Sequence, residues 1–101
     1  MEPCEISING TNTTSLDGNY VKTDNWSQGR PVYVNHHGEY LSVGFWGWTV
    51  SGGSLFGMEK TVVDLPLCPA KVKKWHIEIG RKPGASIIEK AEHVTVTCSK
   101  C

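Results

Sequence analysis

Trp75-His76-Ile77-Glu78-Ile79 alternates apolar and polar residues, so a strand here sends Trp75, Ile77 and Ile79 to one face and His76 and Glu78 to the other. A helix would scatter the same residues around its axis. Val94, Val96 and Cys98 alternate in the same way with His93, Thr95 and Thr97, which gives a second half-buried strand. Working outward, turn residues recur at short intervals, and the pattern predicts strands over 5–8, 18–22, 31–35, 40–45, 48–51, 61–65, 72–79 and 93–98. Loops rich in Gly, Asn, Ser and Thr are expected over 9–15, 24–29, 35–38, 52–57 and 80–84. The fold class is therefore all-β, a small single domain of short antiparallel strands in a sandwich or barrel-like arrangement. Ser86-Ile87-Ile88-Glu89 has a capping-box spacing followed by good helix formers, which allows one short helix near 86–93.

The chain of 101 residues makes one domain, 1–101, that buries about 65% of the surface its unfolded form exposes. Ten basic and ten acidic residues cancel, so the composition carries no footprint of a nucleic-acid partner. No run approaches the ~20 apolar residues of a membrane span, so membrane insertion is not expected. The N-terminal residues lack an apolar signal core; a secreted form would have lost its leader. Four cysteines and Asn-x-Ser/Thr sequons at Asn9, Asn12 and Asn25 point to a secreted, extracellular protein.

Cys4, Cys68, Cys98 and Cys101 allow three intrachain pairings. An extended Cys98-Ser99-Lys100-Cys101 spans roughly 10 Å, beyond disulfide reach, so its two cysteines should seek different partners. One internal bridge from Cys98 to Cys4 or Cys68, with the remaining thiols joining a second chain, is the favoured arrangement. Full internal pairing is the alternative, and a four-thiolate zinc site is disfavoured by a single Cys-x-x-Cys knuckle. A thioredoxin-like motif is also disfavoured, because this Cys-x-x-Cys follows a strand and opens no helix.

Chemistry is thinly represented. No nucleophile stands beside a base and no Asp-x-Asp calcium loop occurs, so neither catalysis, a metal nor a cofactor is expected. His36 and His37 are adjacent, and on a strand they would face opposite ways. His76 and His93 are expected on solvent faces. Recognition is better supplied: Gly44-Phe45-Trp46-Gly47-Trp48 concentrates aromatic residues among glycines that permit close approach. Trp48 continues into Val50 and reads as core, which leaves Trp46 for exposure. A sugar needs a flat ring for its C–H face and fixed polar groups for its edges. The candidate ligand-binding residues are Trp46, Trp26, His36, His37, Asn35, Tyr40, Asp24 and Asn25. A protein-binding module or inhibitor that presents the Gly-rich 52–57 loop is the alternative.

Leu16-Asp17-Gly18-Asn19-Tyr20, Gly29-Arg30-Pro31-Val32-Tyr33, Glu39-Tyr40-Leu41 and Trp48-Thr49-Val50, followed by Pro69 and Trp75, resemble a small module of secreted invertebrate proteins. Within that group the chain, over roughly 18–75, is most similar to the acetamido-recognising lectins of bivalve molluscs. The resemblance implies a small disulfide-linked dimer that binds N-acetylglucosamine and N-acetylgalactosamine without calcium, in innate defence or agglutination. The expected partners are thus N-acetylated sugars or glycans and a second copy or homologous chain. The same motifs also have structural roles: Gly29 for a turn, Pro31 for a strand start, Arg30 as a donor to loop carbonyls or Asp24, and Tyr20, Tyr33 and Tyr40 as a core layer.

Overall fold

A computed structural model describes residues 3–44, 47–51, 53–57, 67–72 and 74–99. Among these residues the chain is all-β: β1 (Glu5–Asn9), β2 (Gly18–Ser27), β3 (Arg30–Val34), β4 (Tyr40–Gly44), β5 (Gly47–Val50), β6 (Leu55–Gly57), β7 (Trp75–Lys82), β8 (Ala85–Lys90) and β9 (Thr95–Ser99). A single 3-10 turn, Pro69–Lys71, precedes β7. The expected strand at 61–65 lies outside the described residues.

All the strand pairs are antiparallel and join one sheet in the order β8-β7-β6-β5-β4-β3-β2-β1-β9. From β1 to β8 the chain is a simple meander; β9 then returns to pair with β1. Laid flat, nine strands would set β8 and β9 about 38 Å apart. The link from Lys90 to Thr95 reaches about 17 Å at most. The sheet must therefore curl, and it forms a half-barrel with a seam between β8 and β9.

Curling gives the sheet one enclosed face. Ile6, Ile8, Tyr20, Tyr33, Leu41, Val43, Trp48, Val50 and Leu55 fill it, and Trp75 and Val72 close one side. Alternation accounts for the choice: Tyr33 pairs with Leu41, Leu41 with Val50 and Val50 with Leu55, a single inward row across four strands. Trp48 and Trp75 are core residues, as their patterns predict. The two buried tyrosines keep their hydroxyls satisfied: Tyr20 donates to the Leu16 carbonyl at 2.6 Å and Tyr33 to the Pro3 carbonyl at 2.6 Å. Burial, helped by the Glu39 charge, pushes the Tyr20 hydroxyl well above the ordinary tyrosine range, while a hydrogen bond from the Asn35 side chain works against that rise.

Five expectations need correction. The segment near 86–93 is no helix: Ala85–Lys90 is strand β8, because pairing with β7 outweighs its local helix preference. The 52–57 stretch is not a loop throughout, since Leu55–Gly57 is strand β6, with Leu55 buried and Gly57 against Val72 and Trp75. Strand also replaces much of the loops expected at 24–29 and 80–84, where β2 runs to Ser27 and β7 to Lys82. Tyr40 does not join the Tyr20 and Tyr33 layer; it pairs with Val34 on the outer face and stays exposed.

Cys68 is bonded to Cys98, one of the two alternatives expected for a single internal bridge, and it ties the 3-10 turn to the last strand. Cys4 is also disulfide-bonded, and Cys101 lies outside the described residues.

Candidate functional site

Strand β2 is irregular where it matters. Lys22 pairs with Tyr33 and Trp26 with Pro31, so Thr23, Asp24 and Asn25 face Val32 alone. This wide bulge is held by Thr23, whose hydroxyl donates to the Val32 carbonyl at 2.7 Å and accepts from the Asn25 amide at 3.1 Å. The surplus residues are pushed out of the ladder, which leaves Asp24 and Asn25 exposed. Just beyond, Gln28 and Gly29 form a two-residue hairpin turn, both with positive φ (54° and 79°). Ser27 anchors that end of the hairpin by donating to the Val43 carbonyl at 2.8 Å. Arg30 donates from Nη1 to the Gly29 carbonyl at 3.2 Å, the structural role expected of it.

Trp26 is 57% exposed at the end of this frame. The Lys22 ammonium lies 5.6 Å from the ring centroid, on the sheet face that the two residues share. A large ring left this open gains little from the core; its stem is fixed by the strand while its surface meets water. Asp24 and Asn25 add a carboxylate and a carboxamide immediately upstream. Together they supply an apolar platform with hydrogen-bonding groups beside it.

The other candidates occupy the opposite end of the same strands, about 13 Å along β3. Asn35 is buried, and its side chain works on the backbone: Nδ2 donates to the Ser15 carbonyl at 2.8 Å, and Oδ1 accepts from the His37 and Glu39 amides at 3.0 and 2.9 Å. Asn35 is thus the clamp of the β3–β4 turn. The His36 and His37 rings, exposed on that turn, lie 4.0 Å apart between centroids. Tyr40 follows, 52% exposed, in an outward row with Val34 and Val21. Glu39 accepts a hydrogen bond from the Ser51 hydroxyl, which closes this end. Of the residues singled out in the sequence, Asp24, Asn25 and Trp26 come together; Asn35, His36, His37 and Tyr40 form a separate group. Trp46 lies outside the described residues, while its neighbours Gly44 and Gly47 pair beside the end of the sheet that carries Trp26.

Two clefts, of about 380 and 390 Å³, touch neither group. Both flank the link across the seam. The first lies between residues 10–13 and Glu78, Glu89 and Glu92; the second has Trp75, Val72 and Val96 as its floor. Sequence reasoning missed them because the seam exists only once β9 has paired with β1. Among the described residues no group of three or more His, Cys, Asp and Glu is placed to hold a metal ion, and no helix is long and apolar enough to cross a membrane.

No protein-family model matches the chain, and no curated protein or solved structure is significantly similar to it.

Proposed function

We propose that the protein is a calcium-independent lectin for N-acetylated sugars of the N-acetylglucosamine and N-acetylgalactosamine type, with Trp26 as its platform. The observation that carries this reading is the contrast among the aromatic residues. Tyr20, Tyr33, Trp48 and Trp75 are buried, whereas Trp26 is held open by a bulge that also exposes Asp24 and Asn25. A pyranose ring lays its C–H face on such an indole, the acetamido methyl extends the apolar contact, and the amide N–H and C=O meet the adjacent polar groups. A sugar without the acetamido group forfeits those bonds, at about 1–3 kcal/mol, or roughly ten- to a hundredfold in affinity.

Intrinsic fluorescence titrated with N-acetylglucosamine, with glucose as control, is the first test. A saturable change with the acetylated sugar alone is expected. Calorimetry on Trp26→Ala should then give at least a tenfold loss of affinity; undiminished binding by that variant would remove Trp26 from the site. Two copies would add avidity. The mass on a non-reducing gel reads whether disulfides at Cys4 and Cys101 join two chains.

One observation favours a second reading, that of a protein-binding module. Val21, Val34 and Tyr40 form an apolar row across three strands of the outer face, with Val21 and Tyr40 largely exposed. Absence of heat with every acetylated sugar would shift the assignment to this face, and from there to a protein partner.

A further inference from the structure

We propose that Asn12 is an N-glycosylation acceptor, used in preference to Asn9 and Asn25. All three asparagines are exposed and all three begin an Asn-x-Ser/Thr sequon, so the sequence does not rank them. The structure ranks them through the hydroxyl two residues on, which must be free to meet the carboxamide when the sugar is attached.

For Asn9 that hydroxyl belongs to Thr11, which is 5% exposed. Its Oγ1 lies 2.6 Å from Asp17 Oδ1 and 3.0 Å from the Thr13 carbonyl, and accepts from the Thr13 amide at 3.1 Å. The middle residue is no freer: Gly10 has φ +85°, and a Cβ there would run into the His93 carbonyl. For Asn25 the hydroxyl is that of Ser27, committed to the Val43 carbonyl across the hairpin at 2.8 Å. Both segments are fixed by the fold through the very group that attachment requires.

Asn12 differs at the hydroxyl, although its middle residue is also held. It sits in the β1–β2 loop with φ 60°, a left-handed conformation that asparagine tolerates. Thr13 is pinned, since its carbonyl accepts from the Leu16 and Asp17 amides at 3.0 and 3.2 Å. The flanking Asn12 and Thr14 are both exposed, and neither side chain has a hydrogen bond to another described residue. The loop thus presents carboxamide and hydroxyl together from a fixed base. Ser15 in the same loop meets Asn35, so this is the end of the sheet away from Trp26. A glycan on Asn12 leaves the Trp26 platform clear; one on Asn25 would crowd it.

In the attachment step the Asn12 Nδ2 forms a bond to C1 of an oligosaccharide carried on a polyprenyl pyrophosphate. The C1–O bond to the carrier breaks, the carrier leaves as its pyrophosphate, and the nitrogen gives up one proton. There is no change of oxidation state.

The test uses the full chain secreted from a glycosylating eukaryotic cell line behind a cleavable leader. Peptides are mapped by mass spectrometry before and after digestion with peptide N-glycosidase, which leaves aspartate where a glycan stood. One glycan is expected, on the peptide containing Asn12, and it should vanish in Asn12→Gln and in Thr14→Val. Equal or greater occupancy at Asn9 or Asn25, or a secreted wild-type chain bare at every sequon, would overturn the proposal, as would a glycan that survives in Thr14→Val. The outcome is independent of sugar binding, which calorimetry on Asn12→Gln reads separately.

Discussion

Asparagine 35 carries the consequences of burial at the scale of one side chain. A carboxamide near the aromatic stretch resembles a ligand contact in sequence, because the same donor and acceptor serve a sugar or a backbone. In the fold its carboxamide serves the protein itself: it bonds to the backbone of Ser15, His37 and Glu39 and meets the Tyr20 hydroxyl. Asn35→Ala should therefore cost about 1–3 kcal/mol of stability, since it strands buried backbone groups. His36→Ala and His37→Ala, on the exposed turn, should stay within about 0.5 kcal/mol of wild type. Urea denaturation of the three variants checks this, and equal losses would mean that the turn is not clamped from Asn35. Trp26 was more legible: flanked by Asp24, Asn25, Ser27 and Gln28, it has no apolar neighbour in sequence to share a core. What the sequence concealed was its support, since Thr23 reads as an ordinary strand residue until Val32 lies opposite.

Among the elements, β7 was plain and β8 was not. Trp75 and Ile77 alternate with His76 and Glu78 strongly enough to fix a strand and its faces without any partner. Ser86 to Glu92 carries helix-forming residues, and only the ladder to β7 makes those up to Lys90 extended, so the deciding information sits in another segment. Strand β6 was hidden for a different reason. Its glycine looked like flexibility, but Gly57 is there because Val72 and Trp75 press on it: a Cβ would stand 2.5 Å from Val72 Cγ1. Val72 is buried and its branched side chain has little room to give. Gly57→Ala should destabilise the protein by about 1–3 kcal/mol. A thermal melt reads the loss, and an unchanged midpoint would show that the β6–β7 side of the barrel yields more readily than its packing implies.

For the molecule as a whole, the all-β class and the single domain could be read from alternation and length, while the closure could not. Pairing of β1 with β9 joins segments from the two ends of the chain, and no local pattern announces it. The Cys68–Cys98 bridge holds that last strand, its cysteines 30 positions apart in sequence. Loop-closure entropy makes the bridge worth about 3–4 kcal/mol, so the double variant Cys68→Ser, Cys98→Ser should lose most of that. Guanidinium denaturation under non-reducing conditions measures it; a negligible loss would mean that β9 is held by its ladder alone. The same topology sets an order of events during synthesis. Strands β2 to β8 can pair with a neighbour as soon as each leaves the ribosome, whereas β1, the first made, must wait for β9 with one edge unfilled. Throughout that interval a nascent chain offers Ile6 and Ile8 on a half-paired strand, and the β9 of another molecule fits the gap as well as its own. Crowded synthesis should therefore favour exchange of β9 between chains, an error that dilution during refolding would suppress.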